Sequence, residues 1–284
     1  MNAAAAPHPR RRPRCLAAPF FADPARRRMK NSGDPAASRA AFQRAPLRNL
    51  DFLLRQRYRW MQRWIAPDHI VIELGAGAGL SPRYLPHPPI LSDVIANPWL
   101  DVAMDAARLA LGDASIDVMI VSNALHHFPS PAQFLHEAVR VLRPGGLILL
   151  NEAYCSLLLR LLLRLMQHEG YSWDVDIFAA NSSANDLKDP WSGNNAVSNL
   201  LFDCRDEFEE RFPRLRILDD APCESLLFLA SGGVTSQVGM PALPAPVLHG
   251  IAALDALLVA VAPRLFALSR RTVLQKTDGR SARR

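Results

Sequence analysis

Short apolar segments, each followed by a polar or glycine residue, alternate with helical patterns, and this alternation constrains the fold more than any other feature. Segments 70–74, 90–92 and 102–104 are short, and 116–122 (IDVMIVS) is a continuous apolar run typical of strands buried on both faces. Strands and helices that alternate at this spacing predict a parallel sheet with right-handed crossovers.

A helix is expected between the fourth and fifth strands. Ser130 and Pro131 are typical of a helix start, and the segment PAQFLHEAVRVLR places its apolar residues on one face. The helix is expected to stop at the PGG of 144–146, after which LILLN forms the fifth strand. Segments 225–230 (SLLFLA) and 272–276 (TVLQK) are expected to be the remaining strands.

Alternate glycines follow the first strand, at positions 75, 77 and 79, and Glu73 stands two residues before the first of them. A glycine-rich loop at this place brings the backbone close to a ligand at the carboxyl edge of the sheet. The dinucleotide fingerprint needs a small residue at position 80, which Leu80 occupies. The pattern therefore disfavours a nicotinamide cofactor.

Polar residues also close the second, third and fourth strands. Asp93 comes eighteen residues after Gly75, where a carboxylate can accept hydrogen bonds from ribose hydroxyls. MDA at 104–106 ends the third strand, and SNALHH at 122–127 ends the fourth. Simpler interpretations exist, since Asp93 could cap the next segment and Asp105 could begin a helix.

In this order over residues 70–152, the motifs ELGAGAG, SD, MDA, IDVMIVSNALHHF and FLHEAVRVLRPGG resemble the class I S-adenosylmethionine-dependent methyltransferases, type 11-like. The resemblance implies an α/β, Rossmann-like, doubly wound sheet of seven strands, mostly parallel with a reversed last strand, and a helical insertion after the fifth strand. It implies S-adenosylmethionine as cofactor. Segments 167–174, 190–202 and 229–236 are more loosely similar to bacterial methyltransferases of surface-polysaccharide gene clusters.

The resemblance also assigns the cofactor site. The methionine moiety is expected near residues 73–79, the ribose on Asp93 and the adenine near 104–106. The cofactor-binding residues predicted in this way are Glu73, Gly75, Ala76, Gly77, Gly79, Asp93, Met104, Asp105, Ala106 and Asn123. No metal ligand set is expected.

The acceptor half of the site is indicated by fewer residues. His127 is predicted as a base or acceptor-positioning group, with His126 as an alternative, and packing is the plainer interpretation of either ring. Glu152, at the end of the fifth strand, is predicted to face the same cleft and is grouped with His127 as catalytic. Three residues are predicted on the acceptor side, unless they belong to a structural loop: His168, Glu169 and Trp191.

The chain divides into four segments. Residues 1–41 are predicted to be a disordered basic tail, 42–152 the S-adenosylmethionine-binding core, 153–215 an insertion covering the acceptor site, and 216–284 strands and apolar helices that complete the sheet. The tail lacks the apolar segment of a signal peptide. It leaves open a transit peptide, a nucleic-acid arm or a translation start at Met29, and we favour the last.

The net charge bears on a nucleic-acid partner, and the cysteine content bears on a zinc site, disulfides and location. Residues 1–30 carry a net charge of +7 against +6 for the whole chain, so the remaining 254 residues sum to −1. A near-neutral body does not favour a nucleic-acid partner. The four cysteines are widely spaced without a C-x-x-C pair, which argues against a zinc site or a disulfide framework and favours a reducing, cytoplasmic location.

Two apolar segments raise the question of a membrane. Segment 156–166 carries two arginines, and 247–268 contains Asp255, Pro263 and Arg264, so neither is expected to span a bilayer. Each is predicted to be a buried or interdomain helix, in preference to an interfacial helix that would give peripheral membrane contact.

The sequence as a whole predicts a methyltransferase enzyme that acts on a small-molecule or glycan acceptor, with a sugar hydroxyl preferred. One rival is an S-adenosylmethionine-binding protein without transferase activity, against which Glu73, Asp93 and Asp105 argue. The other is a nicotinamide-dependent oxidoreductase, which Leu80 disfavours. The pattern does not indicate an oligomeric state.

Overall fold

The computed structural model describes residues 34–45, 47–166, 169–179, 182–186, 192–235 and 238–278. Within these residues, one sheet contains the strands β1 Val71–Leu74, β2 Ile90–Asp93, β3 Val102–Ala103, β4 Ile116–Ser122, β5 Leu142–Ala153, β6 Leu215–Cys223 and β7 Ser269–Lys276. Their order is β3-β2-β1-β4-β5-β7-β6, and β7 runs antiparallel to both of its neighbours. The predicted seven-stranded sheet with a reversed last strand is therefore confirmed.

Helices cover both faces of the sheet. They are α1 Pro35–Arg44, α2 Arg48–Gln62, α3 Pro131–Val141, α4 Leu157–Met166, α5 Val197–Phe202, α6 Arg205–Arg211, α7 Leu226–Ser231, α8 Ala245–Val261 and α9 Pro263–Phe266. The start of α3 is as expected, because the Ser130 hydroxyl accepts a hydrogen bond from the backbone N–H of Gln133 at 3.3 Å.

Two apolar layers hold the helices against the sheet. In β4, Met119 packs on the side of α3, whereas Val118 and Ile120 pack on the side of α2. All three side chains are fully buried. Because successive side chains of a strand point to opposite faces, a continuous apolar run is what a strand covered on both faces requires.

The segment expected to be the sixth strand, 225–230, is a helix instead, and β6 is formed by Leu215–Cys223. The buried Asp255 carboxylate accepts hydrogen bonds from the backbone N–H groups of Ser225, Leu226 and Leu227 at 2.9, 2.7 and 3.0 Å. It thereby satisfies donors at a helix start that lacks a cap of its own.

The predicted tail is too long by several residues, because α1 begins at Pro35, inside the segment 1–41. Asp34 caps this helix by accepting a hydrogen bond from the backbone N–H of Ala37 at 2.9 Å. Arg39 donates to the carbonyl oxygens of Ala78 and Gly79 at 2.9 Å each, which ties α1 to the glycine loop. Residues 1–33 lie outside the described residues.

Helices α4 and α8, which were predicted to be buried or interdomain helices, are partly exposed. In α4, Leu159 and Leu163 are buried while Leu161 is 54% exposed. In α8, Val259 is buried while Leu257 is 59% exposed. Both are therefore surface helices with one packed side. Among the described residues, none of the helices has the length and apolar character needed to cross a bilayer.

Candidate active site

One large cavity, with a volume of about 700 Å³, opens at the carboxyl ends of β1, β2 and β4. Ligands of open parallel sheets bind at this edge because the loops that follow the strands meet there. Most of the residues predicted for the site line the cavity: Glu73, Gly75, Ala76, Gly77, Asp93, Met104, Asp105, Ala106, Asn123, His127 and Glu169. His168 and Trp191 lie outside the described residues.

The glycine loop is shaped by two close backbone approaches. Gly75 has a φ of +68°, and a Cβ at this position would overlap the Cβ of Ala124 at the end of β4. The N–H of Gly77 donates to Asp93 Oδ2 at 2.9 Å. Gly77 has a φ of +51° and no atom within 4 Å of the place where a Cβ would stand. Glycine therefore leaves the cavity open on that side.

Gly79 is not among the residues that line the cavity, although its neighbours Ala78 and Leu80 are, so its role in cofactor binding stays a prediction. A Cβ at Gly79 would come within 2.7 Å of Trp99 Cδ1 and 3.2 Å of the Arg39 guanidinium. Trp99 Nε1 also donates to the carbonyl oxygen of Gly77 at 2.9 Å. The third glycine thus makes room for the side chains that hold the loop. Neither Arg39 nor Trp99 carries a local sequence signal for this role.

Glu73 is almost completely buried beneath the glycine loop. Its Oε1 accepts a hydrogen bond from the Tyr58 hydroxyl at 3.1 Å, and its Oε2 accepts one from the Ser81 hydroxyl. Burial raises the pKa of Glu73 to about 7, against the effect of these two hydrogen bonds. Tyr58 and Ser81 are site residues that the sequence motifs did not identify.

The carboxylates of Asp93 and Asp105 reach the cavity and also organise the adjacent backbone. Asp93 Oδ1 accepts from the N–H of Ile95 at 3.2 Å, and Asp105 Oδ1 accepts from the N–H of Ala107 at 2.9 Å. Both contacts hold the residue two positions further along the chain, but within the described segment 47–166 no helix begins directly after Asp105, so its expected role as a helix cap is wrong. Each carboxylate oxygen can accept more than one hydrogen bond, so these contacts leave capacity for a ligand.

Glu152 does not line the cavity, so the expectation that it faces the acceptor is wrong. Its Oε2 accepts from the backbone N–H groups of Leu125 and His126 at 2.7 and 3.3 Å, and its Oε1 bonds Nδ1 of His126. Burial alone would raise the pKa of Glu152, but the charge and hydrogen bond of His126 bring it below the usual value. The Glu152 carboxylate thus contacts His126 on the side of the ring away from the cavity.

His126, His127 and Glu169 come together at the cavity wall. Nε2 of His126 lies 3.5 Å from Glu169 Oε2, and Nε2 of His127 lies 3.6 Å from Glu169 Oε1. His127 Nδ1 lies 3.0 Å from the carbonyl oxygen of Ser192, and Asn195 Nδ2 donates to Glu169 Oε2 at 2.8 Å. The structure thus brings both histidines to the one acceptor-side residue that it describes.

The two histidines differ in charge. Burial lowers the pKa of His126, but the carboxylates of Glu152 and Glu169 outweigh that effect and bring it to about 10. Burial and the neighbouring charge of His126 hold the pKa of His127 below its usual value. At neutral pH the His127 ring is therefore the neutral member of the pair.

The remainder of the cavity is largely apolar. Helix α4 contributes Leu159, Leu162, Leu163 and Met166 to the lining, and α2 contributes Leu50, Leu53 and Leu54. These residues form an apolar wall of helices, while the strand ends supply polar groups together with Arg57 and Tyr58 of α2. The cavity therefore joins a polar half at the sheet edge to an apolar half under the helices.

Comparisons with known proteins match part of the chain. Residues 72–150 match the model of a family described as a methyltransferase domain. The chain is 46% identical over 56 residues to the phthiotriol/phenolphthiotriol dimycocerosates methyltransferase 1 of Mycobacterium ulcerans, covering 19% of this chain and 21% of that protein. It is 44% identical over 48 residues to the 27-O-demethylrifamycin SV methyltransferase of Amycolatopsis mediterranei, covering 17% and 18%.

A solved structure of an S-adenosylmethionine-dependent methyltransferase from Archaeoglobus fulgidus aligns with a TM-score of 0.47 and 15% identity, over 79% of this chain and 93% of that chain. The sequence matches span only about a fifth of the length of the curated relatives. By its strand order this is a Rossmann-like α/β protein with a ligand cavity at the sheet edge. The match over residues 72–150 supports a class I S-adenosylmethionine-dependent methyltransferase, a class whose cofactor is S-adenosylmethionine.

Proposed function

We propose that this protein transfers the methyl group of S-adenosylmethionine to a hydroxyl of a small-molecule or glycan acceptor that carries an apolar part. One observation carries the proposal. A single cavity is lined by all the residues predicted for the cofactor except Gly79, by the His127–Glu169 pair and by an apolar wall. A donor and an acceptor bound in the two halves would share one enclosed space, which methyl transfer requires.

The polar half suits the cofactor. Asp93 at the end of β2 is suited to accept hydrogen bonds from ribose hydroxyls, and Asp105 after β3 lies where an adenine amine could donate. Glu73 and the loop around Gly77 would surround the methionine moiety. The sulfonium is already a strong electrophile, so the work left to the protein is alignment of the acceptor, which can lower a barrier by about 7–11 kcal/mol at best.

The apolar half suggests the character of the acceptor. Leu162, Leu163 and Met166 of α4 offer it carbon surface, and His127 offers it a neutral imidazole at the polar boundary. A hydroxyl held beside His127 and Glu169 would have groups nearby that can take up its proton. An acceptor with one polar end and one apolar end fits this arrangement, as a lipid-linked sugar would.

The curated relatives support a small acceptor. Their names give phthiotriol and phenolphthiotriol dimycocerosates in one case and 27-O-demethylrifamycin SV in the other, and neither name refers to a nucleic acid or a protein. The near-neutral charge of the chain beyond residue 30 agrees with this.

The direct test uses S-adenosylmethionine with a deuterated methyl group. The purified full chain is incubated with this cofactor and with separate lipid, glycan and small-metabolite extracts of a strain that lacks the gene. We expect S-adenosylhomocysteine to form in one class of extract, together with a product that carries the label. Formation of neither product in any extract, from a chain that binds the cofactor, would favour the non-catalytic rival.

A further inference from the structure

We propose that His126, His127 and Glu169 bind one divalent transition-metal ion at the acceptor end of the cavity. Each residue offers one ligand atom, and the three atoms lie within 4.8 Å of one another. The binding site is independent of the reaction, but its role in catalysis, given below, rests on the proposed function.

The spacing of the ligand atoms fits a metal ion. Two ligands of a tetrahedral zinc ion, with bonds of about 2.0–2.1 Å, lie about 3.3–3.4 Å apart. The observed separations are 3.5 Å between His126 Nε2 and Glu169 Oε2, and 3.6 Å between His127 Nε2 and Glu169 Oε1. These two contacts use different oxygens of Glu169, and the three ligand atoms lie within 4.8 Å of one another, so binding of one ion would draw the three side chains together.

The groups behind the ligands are those that orient metal-binding histidines. A ligating imidazole usually gives its other nitrogen to a carboxylate or a backbone carbonyl, which fixes the tautomer and the ring orientation. Nδ1 of His126 bonds the buried Glu152 carboxylate, and Nδ1 of His127 lies 3.0 Å from the Ser192 carbonyl oxygen. Glu169 is itself held by the amide of Asn195. All three ligands are thus oriented by outer groups.

The charge of the cluster matches a divalent cation. Glu169 in direct contact and Glu152 behind His126 supply two negative charges, and a bound cation would take the place of the proton that His126 holds between them. These groups are partly or wholly buried, and a low-dielectric site stabilises a compensating charge more strongly than water does.

The ligand types select the class of metal. Imidazole nitrogens suit zinc, iron, nickel and copper, whereas magnesium and calcium prefer sites made of oxygen ligands. Two histidines and one carboxylate leave open coordination positions, as in catalytic zinc sites and non-haem iron sites. The site faces a cavity, so a substrate oxygen could occupy an open position.

A bound metal ion would activate the acceptor as a Lewis acid. The acceptor hydroxyl would bind the metal through its oxygen and lose its proton to solvent. The resulting alkoxide oxygen forms a bond to the methyl carbon, the carbon–sulfur bond breaks, and its electron pair stays on sulfur. The products are the methyl ether, S-adenosylhomocysteine and the released proton. His127 would then hold the metal instead of acting as the base.

The test begins with metal binding by the untagged full chain, which avoids histidines that an affinity tag would add. The protein is stripped with a chelator and titrated with Zn²⁺, and bound metal is counted by elemental mass spectrometry after dialysis. Co²⁺ is used in parallel, because its visible absorption reports the coordination geometry. We expect one equivalent of either metal.

Variants locate the site. Glu169→Gln removes a ligand charge with little change in shape and is expected to weaken Zn²⁺ binding at least about 100-fold, because removing a mere outer partner costs about 10–100-fold. Glu152→Gln is expected to fall within that outer-partner range. His136→Ala is the matched control, since His136 is exposed on α3 and is not part of the cavity lining. It should retain full affinity.

Each outcome decides one point. The absence of stoichiometric metal, or an equal affinity in wild type and Glu169→Gln, would overturn the site and leave His126 as a protonated partner of two carboxylates. Loss of bound metal in Glu169→Gln, with full binding in His136→Ala, supports the metal site. Metal binding without methyl transfer would overturn the proposed function and leave the metal site standing. Full methyl transfer in excess chelator would keep the proposed function and overturn the role of the metal in catalysis.

Discussion

Glu152 and His126 form a hydrogen-bonded pair in which the carboxylate lies behind the imidazole and both side chains are less than 10% exposed. The same carboxylate accepts hydrogen bonds from the two successive backbone N–H groups of Leu125 and His126. The end of β5 thereby fixes the turn that follows β4. With Nδ1 of His126 bonded to Glu152, the Nε2 atom of the same ring lies 3.5 Å from Glu169 Oε2.

Removal of this carboxylate should cost stability as well as activity. Breaking one partner of a buried charged pair typically costs about 3–5 kcal/mol, so we expect Glu152→Ala to lower the free energy of unfolding in urea by about that amount. Glu209→Ala is the control, because Glu209 forms an exposed pair with Arg205 at 3.0 Å and such pairs contribute at most about 1 kcal/mol. Equal losses in the two variants would show that the Glu152 pair is not special.

Asp93→Ala should weaken the binding of S-adenosylmethionine far more than Asp113→Ala does. Hydrogen bonds to a charged group contribute about 1.5–3 kcal/mol each, which corresponds to roughly 10–100-fold in the dissociation constant. Asp113 is a 78% exposed partner of Arg140 and does not line the cavity. Calorimetric titration of both variants gives the comparison.

Asp93 also accepts a hydrogen bond from the N–H of Gly77. A second variant therefore distinguishes its predicted contact with the ribose from its contact with the glycine loop. Asp93→Asn keeps a carbonyl oxygen for that N–H and loses only the charge. If Asp93→Asn and Asp113→Ala bind the cofactor equally well, Asp93 is a loop residue and not a ribose acceptor.

The parts of the fold that the sequence predicted depend on local patterns. Strand β4 contains four successive apolar residues, at 118–121, so burial on both faces could be inferred from the sequence alone. Strand β6 could not be inferred in this way, because it is an edge strand with several half-exposed positions. The apolar segment 225–230 was predicted as a strand instead, and the Asp255 carboxylate that caps it as a helix is about thirty residues away in the chain.

In the candidate site, too, the features set by local sequence patterns could be predicted and those set by tertiary contacts could not. The carboxylates and glycines that follow strands could be predicted because a parallel sheet collects such residues at one edge. The direction in which the Glu152 side chain points could not be predicted, because it depends on contacts with residues 26 and 27 positions away in the chain. The contact of Tyr58 with Glu73 and that of Trp99 with the glycine loop are likewise tertiary and leave no local motif.

Gly75 and Gly77 should respond differently to substitution by alanine. Both have positive φ, which costs an L-residue roughly 1–2 kcal/mol, but only Gly75 has an atom in the way of a Cβ. We expect Gly75→Ala to lower the melting temperature strongly by forcing β1 and Ala124 apart. Gly77→Ala should lose cofactor affinity with a smaller loss of stability, because its Cβ would project into open space. Thermal melts and cofactor titrations of both variants test this, and the reverse ranking would contradict the loop geometry.

The raised pKa of Glu73 predicts a pH-dependent stability. Its pKa is about 7 in the folded chain against an ordinary value of 4.5, so the folded state holds a proton that the unfolded state releases. The contribution of this proton to the free energy of unfolding is fully present below the ordinary pKa of 4.5. It is lost as the pH rises through the folded pKa of about 7, at roughly 1.4 kcal/mol per pH unit. Glu73→Gln cannot lose a proton, so its stability relative to wild type should rise over that interval.

Urea unfolding of both proteins at a series of pH values measures the difference. The exposed Glu207→Gln serves as the control and should follow wild type at every pH. A Glu73→Gln curve parallel to wild type would mean that Glu73 is ionised in the folded protein throughout.

Helix α4 offers the sharpest test of where the acceptor binds, because neighbouring leucines face opposite ways. Leu162 lines the cavity, whereas Leu161 is 54% exposed on the outer side. Truncation of a cavity-facing leucine removes about 1–2 kcal/mol of apolar contact with a bound ligand, or about 10-fold in affinity. We therefore expect Leu162→Ala to raise the KM for the acceptor about 10-fold while the Kd of S-adenosylmethionine stays within about threefold, roughly 0.7 kcal/mol. Leu161→Ala should change neither constant with an acceptor supplied in solution. If Leu162→Ala weakens cofactor binding and leaves the acceptor KM unchanged, α4 covers the cofactor and the acceptor must enter from another side of the cavity.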